Sequence, residues 1–259
     1  LYIEAANASP EQRIRLLEEA AEVAWSRVNP DASLPWLARL RDERPEDPEL
    51  LGRLAEVHRR AGRFEAALRA YDEELELLID SEQKYKLHVQ RARLLERELH
   101  APGRAISAYL QAAETADNDS ETLAELDRLY DTMERPFERA KILEARVAKL
   151  DGAEGIELRQ TLATLYCISL SKPELALPHL EANVAASVGN AAEELQYLGA
   201  LDAALRASRR HDDWARIAER ELELIESDEE IRDATPCEYR NFLREELART
   251  CDVLLGAPD

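Results

Sequence analysis

The side chains able to do chemistry are spread thinly along this sequence. The five histidines, His58, His88, His100, His179 and His211, fall in five different segments. None follows a glutamate three residues earlier, the spacing that di-metal helix bundles use. No His-Glu-x-x-His, Cys-x-x-Cys, phosphate-cradling glycine loop or Gly-x-Ser-x-Gly elbow is present. Cys167 stands beside Tyr166 in an amphipathic stretch, which reads as a small packed hydrophobe rather than a reactive thiol. The acidic pairs Glu73-Glu74, Glu193-Glu194 and Asp212-Asp213 carry the carboxylates that acid–base catalysis needs. They fall on expected solvated faces, with no pocket-forming pattern around them. The expectation is no enzyme, no metal and no cofactor.

Two charge features remain. The run Glu219–Glu230 holds seven acids against Arg220 alone and reads first as a solvated face, second as a dock for a basic partner. Arg53, Arg59, Arg60 and Arg63 divide between two helix faces, and Glu49 and Glu56 stand four residues before Arg53 and Arg60. They read as paired surface charge, or else as a groove for an acidic or carboxylate-bearing peptide.

The whole chain limits the partners further. Its 259 residues carry 54 acids against 34 bases, a net charge of −20. Residues 1–150 sum to −8 and residues 151–259 to −12, so neither half attracts a phosphate backbone and no nucleic acid is expected. No run of eighteen apolar residues exists, so no membrane span is expected. Three widely separated cysteines, Cys167, Cys237 and Cys251, argue against a disulfide framework and for a reducing compartment such as a cytoplasm. The start, Leu1-Tyr2-Ile3-Glu4, is no signal peptide and reads as an internal piece of a longer chain; a leader upstream stays open.

The elements that would position these residues are helices. Glycine is scarce at 8 residues, and Val, Ile, Thr and Phe are sparse beside Ala, Leu, Glu and Arg. Ser9-Pro10-Glu11-Gln12, Asp47-Pro48-Glu49, Lys172-Pro173-Glu174 and Thr235-Pro236-Cys237-Glu238 mark helix starts, since proline at the first helical position lacks only an N–H that would go unused. Gly62, Gly152, Gly189 and Gly256 mark stops. Thirteen helices are predicted: 10–28, 33–44, 48–61, 64–79, 82–99, 102–116, 120–133, 136–150, 154–169, 173–187, 191–210, 213–226 and 236–255. Pro178 is expected to kink the tenth. Gaps of a few residues make neighbours antiparallel, so the helices pair as hairpins.

A period runs through them. Small residues recur at Ser33, Ala67, Ala105, Ala140 and Ala176, at spacings of 34, 38, 35 and 36. The sharpest unit, Asp47 to Tyr71, resembles a tetratricopeptide (TPR) repeat. With Pro48 as position 1, Leu54 and Ala55 fall at 7 and 8, Gly62 at the turn, and Phe64, Ala67 and Tyr71 at 17, 20 and 24. Other units centre on Leu17 and Ala21, on Ala92 and Tyr109 with one extra turn residue, on Leu126, Tyr130 and Phe137, and on Ala163 and Tyr166. The likeness covers about 14–227 and is closest to the looser bacterial repeats. HEAT-like units remain an alternative for the last third. Asp127 at a small-residue position, His58 for an aromatic and Gly52 in mid-helix depart from the pattern.

The resemblance implies an all-α solenoid of stacked antiparallel hairpins, one domain over 1–259 with about six repeats and a last helix at 236–255. It implies a concave face lined by the first helix of each hairpin, at positions 2, 5, 9 and 12. Those are Glu49, Gly52, Glu56 and Arg59; Lys86, Val89, Arg93 and Glu96; Glu121, Ala124, Arg128 and Asp131; and Glu157, Gln160, Thr164 and Cys167. The lysine–asparagine carboxylate clamp of chaperone-binding TPR proteins is not there, since Gly52 and Glu56 hold its first positions. The expected function is a non-catalytic scaffold that binds a peptide or partner domain in the groove. The alternative is a regulatory or sensor module of a larger enzyme or signalling protein.

Overall fold

The structure, a computed structural model, describes residues 9–27, 29–117, 119–150 and 152–256. Its helices in chain order are α1 Pro10–Arg27, α2 Leu34–Glu43, α3 Pro48–Arg60, α4 Phe64–Leu77, α5 Ser81–Arg97, α6 Pro102–Thr115, α7 Ser120–Thr132, α8 Pro136–Val147, α9 Ile156–Thr164, α10 Pro173–Ser187, α11 Ala191–Ala207, α12 His211–Ser227, α13 Glu229–Ala234 and α14 Cys237–Gly256. Among the described residues there is no strand, and no helix is long and apolar enough to cross a membrane. The chain divides into two compact units, 1–129 and 130–259.

Local chemistry starts the helices where the sequence suggests. Ser9 and Gln12 form a reciprocal capping box, each backbone N–H donating to the other's side chain at 3.4 Å. Asp47 Oδ1 accepts from Glu49 and Leu50 N–H at 3.1 and 3.3 Å. Proline opens α3, α6, α8 and α10. Several helix ends differ by a few residues, the short α13 stands at Glu229–Ala234 where no helix is expected, and two starts differ in kind. The expected helix 33–44 begins as a 3-10 turn, Pro30–Ser33, capped by Asn29. The expected helix 154–169 is a 3-10 turn at Gly152–Gly155, then α9, then a π turn over Leu165–Ser169 closed by Leu170 N–H on the Leu165 carbonyl. Gly152 therefore opens a turn instead of ending a helix, and Gly256 is the last residue of α14. Helix α10 continues through Pro178.

Within each unit consecutive helices pack as antiparallel hairpins, α1 on α2, α3 on α4 and α5 on α6 in the first, α9 on α10 and α11 on α12 in the second. The periodic small residues sit where such packing needs them. Ser33, Ala67, Ala105, Ala140 and Ala176 are all buried, with Ala67 at 0% exposure, as are Ala21, Ala55, Ala92 and Ala163 in the facing helices. Tyr71, Tyr109, Tyr130 and Tyr166 fill the space beyond them and are buried. Phe137 does not join them: it is 57% exposed, with the Lys172 ammonium 5.6 Å from its ring.

The turns between paired helices share a device that glycine content conceals. Gly62, His100, Glu134, Ser171 and Arg209 each adopt a left-handed φ, between 49° and 71°, right after α3, α5, α7, α9 with its π turn, and α11. In three of these turns the next N–H reaches back five residues: Arg63 to His58, Arg135 to Tyr130 and Arg210 to Leu205. In the other two it reaches back six, Ala101 to Leu95 and Lys172 to Tyr166. The wider turns absorb one extra residue.

Polar ties complete the second unit. Tyr166 donates its hydroxyl to Glu144 at 2.5 Å, and His179 stacks on Tyr166 with its Nε2 3.6 Å from the same carboxylate, linking α8, α9 and α10. The acidic run is solvated at Glu219, Glu223, Glu226, Glu229 and Glu230, with Glu221 as the exception. Glu221 is 0% exposed and accepts from the Tyr239 hydroxyl of α14 at 2.8 Å, while Asp228 caps the short α13. Beside Glu221, Asp202 accepts from Trp214 Nε1 and Arg206. The Arg206 guanidinium lies 4.9 Å from the Trp214 ring and 4.7 Å from the Phe242 ring. Burial, with Asp202 adding to it, pushes the Glu221 carboxyl up to about 7 against the Tyr239 hydrogen bond and the Arg206 charge.

Two outcomes follow. Four of the five left-handed turn residues are not glycine, and a side chain there costs roughly 1–2 kcal/mol against a smaller entropic loss for glycine. Glu134→Gly and Arg209→Gly should each raise the midpoint of chemical denaturation by ~0.5–1 kcal/mol of stability. Glu221, raised in the folded state and near 4.5 unfolded, binds its proton more tightly when folded. Its contribution is complete below pH 4.5 and is lost as pH rises to about 7. Glu221→Gln should therefore show a midpoint that gains on the parent between pH 5 and pH 8, by on the order of 1 kcal/mol. Parallel pH profiles of the two chains would contradict this account.

Candidate functional site

The first helices of the hairpins, α3 and α5, form one groove in the first unit, with α4 behind them. It consists of two adjoining cavities of about 330 and 310 Å³ that share Gln90. Glu56, Arg59 and Arg93 line the first cavity, with Tyr71 at its back. Glu49 and Lys86 line the second, with Glu74 at its back. Five of the predicted positions therefore come together. Gly52 joins them by what it lacks: a methyl there would stand 3.2 Å from Glu74 Oε1. The missing side chain lets a carboxyl from α4 lie against α3.

Most of the arginine and lysine charge in this groove is paired. Arg59 donates through Nε and Nη2 to both oxygens of Glu56 at 2.8 Å, which holds the Glu56 carboxyl below its usual range. Lys86 meets Glu82 at 2.5 Å. Arg93 of α5 reaches Glu121 of α7 at 2.9 Å, and Arg128 of α7 reaches back to Glu96 of α5 at 2.6 Å. The two bridges join consecutive first helices, and the Arg128 site is matched to a second acid, Glu125, at 2.8 Å. Glu74 differs from these. Its Oε2 is buried without a hydrogen-bond partner, and burial pushes its carboxyl up to about 7.

In the expected stripe of α5, Val89 is half-buried and Glu96 is held by Arg128. The cavity walls instead take Gln90 and Arg97, each one residue later. The extra residue in the α5–α6 turn tells that the register drifts here, but not by how much. Tyr71 and Glu74 belong to α4, so a rule built on first helices misses them. Asp131 lies in the second unit and pairs with Arg139.

The corresponding groove of the second unit lies between α9 and α11 and is unlike the first. Gln160, Thr164 and Cys167 meet Ala200, Ala203 and Ala207 around a cavity of about 330 Å³. Its walls are small and mostly apolar. The Thr164 hydroxyl is spent on the Gln160 carbonyl at 2.8 Å. Burial and the Glu174 carboxylate push the Cys167 thiol up, so it stays neutral and acts as a wall, as its sequence setting suggests. Glu157, also predicted for this face, is exposed one turn before Gln160.

No protein-family model matches this chain, and no curated protein matches it. Solved helical-repeat structures are similar in part. The MamA fragment 41-end from Desulfovibrio magneticus RS-1 is 18% identical with a TM-score of 0.41, over 65% of this chain and 91% of that one. YrrB, a TPR protein described as having an unusual peptide-binding site, is 14% identical with a TM-score of 0.38, over 75% and 94%. The Naa15/Naa10 complex bound to HypK-THB gives 15% identity and a TM-score of 0.45, over 93% of this chain but 39% of that one. At this distance no residue role or ligand passes from them to this chain. On its own hairpins, this is a TPR-like helical repeat protein.

Gly52 can be tested alone. A mid-helix glycine costs about 1 kcal/mol relative to alanine, and the only obstacle to a methyl is the tip of the flexible Glu74 side chain. Gly52→Ala should raise stability by ~0.5–1 kcal/mol in chemical denaturation, with the Glu74 carboxyl turning into the cavity. A loss of stability would mean that the Glu74 carboxyl is fixed in place.

Proposed function

We propose that this chain is a non-catalytic protein-interaction scaffold, its hairpins over 1–259 serving as one TPR-like module that holds a peptide or partner domain on the faces of its first helices. One observation carries the reading. Positions chosen by repeat register alone, Glu49, Glu56, Arg59, Lys86 and Arg93 in one unit and Gln160, Thr164 and Cys167 in the other, line the grooves. What the grooves offer is recognition chemistry. Arg59, Lys86, Arg93 and Arg128 already have carboxylate partners, so an incoming charged segment exchanges one set of pairs for another. Such exchange favours specificity over raw affinity. The compartment that suits the odd, scattered cysteines is a reducing one such as a cytoplasm.

A photo-crosslinking amino acid placed in turn at Gln90 and Thr164, on first helices, and at Ser107 and Ala185, exposed on second helices, tests this. The reading expects one partner to be captured from Gln90 or Thr164 and not from the other two, and to bind the purified chain. Capture only from Ser107 and Ala185, or a turnover activity of the purified chain, would overturn it.

A further inference from the structure

The two grooves differ in how their acids are used. In the first unit Glu56, Glu96 and Glu121 are matched by arginine, while among the described residues Glu49, Glu74 and Glu98 make no ion pair and share their walls with Arg59, Lys86, Arg93 and Arg97. In the second, Glu157, Glu174 and Glu193 are exposed and none makes an ion pair among the described residues. Glu157 and Glu193 stand in the first turns of α9 and α11. Both helices run antiparallel to α10, so they are parallel to each other and these two acids share one end of the groove. On α9, Glu157 precedes Gln160 and Thr164 on one face; on α11, Glu193 precedes Ala200, Ala203 and Ala207 on one face. Glu174 acts on the Cys167 thiol at the opposite end, about 15 Å away along α9.

Between these ends the floor is apolar and no lysine or arginine lines it. Lys172, next to the lining residue Pro173, has its ammonium over the Phe137 ring. The π turn contributes here as well. By widening the end of α9 it brings both Cys167 and Ile168 to the wall, and Ile168 is left 74% exposed. An exposed isoleucine beside an alanine-walled cavity, framed by unpaired acids, has the composition of a subsite awaiting an apolar side chain with positive neighbours.

We infer that the α9–α11 groove is the anchor site for a positively charged amphipathic segment of a partner protein. One large aliphatic or aromatic side chain of the segment enters between Ile168 and the α11 alanines. Lysine or arginine residues on either side of it meet Glu157 and Glu193 at one end and Glu174 at the other. This inference rests on the scaffold reading above and specifies the chemistry of one groove.

Panning a library of displayed random twelve-residue peptides on the purified full chain, at physiological salt, tests it. Enriched peptides should combine a Leu, Ile, Met or Phe with flanking Lys or Arg. Ala203→Leu fills the cavity without changing charge and should weaken their binding more than tenfold. Ile168→Ser, at an exposed site, should weaken it several-fold and guards against a folding defect in the first variant. Glu157→Gln with Glu193→Gln should weaken it three- to tenfold and flatten its salt dependence. Enriched peptides lacking either the apolar or the basic residues, no enrichment, or binding indifferent to both Ala203→Leu and Ile168→Ser would overturn the inference. Peptides that lose binding on Arg93→Ala and keep it on Ala203→Leu would overturn it while leaving the scaffold reading intact.

Discussion

Two helices can lie along one another only where the side chains between them are small, and this contact is the one on which everything else in the chain depends. The buried alanines of α3 and α4, Ala55 and Ala67, set the separation of one hairpin, and Ala92 with Ala105 set that of the next. Leucines and tyrosines can then fill the remaining space at ordinary interior density. The grooves are by-products of the same spacing. Each first helix stands apart from the next first helix because a second helix is wedged behind them, and the gap in front becomes a channel. Larger residues at the alanine positions would change the spacing of the hairpins before they changed any groove residue.

This dependence explains how far the sequence can be read. Small residues at a period of about three dozen are visible without coordinates, and so were the hairpins, most helix starts and the identity of the first helices. What stayed hidden was set by contacts between helices. Glu221 looks like one more acid in a charged run until α14 covers it and Tyr239 donates to it. The extra turn residue after α5 is visible, but the resulting shift of the wall from Val89 to Gln90 depends on how the helix rotates against α4. The π turn at Leu165–Ser169 leaves no sequence mark, since Leu-Tyr-Cys-Ile-Ser is equally a plain helical segment. It nevertheless decides which side chains close the α9–α11 groove.

The two grooves also show how one scaffold can carry unlike surfaces. In the first unit, arginine-to-glutamate bridges such as Arg93 to Glu121 and Arg128 to Glu96 tie neighbouring first helices together, each a modest contribution because the pairs are solvated. Charge there supports the architecture as much as it faces outward. In the second unit the equivalent stripe on α11 is Ala200, Ala203 and Ala207, so spacing rests on packing and the acids at the rim are left free. Glu74 belongs to neither pattern, since its oxygen is buried without a donor beside the only glycine of α3.

The left-handed turn residues have a bearing on redesign. Their closing hydrogen bonds alternate in reach along the chain, five residues after α3, α7 and α11, six after α5 and α9. In the reach of these bonds residues 62 and 134 match each other and residue 100 does not, a pattern that returns every second hairpin. An idealised array averaged over single hairpins would blend two incompatible turn lengths into one. Averaged over pairs, it would keep both.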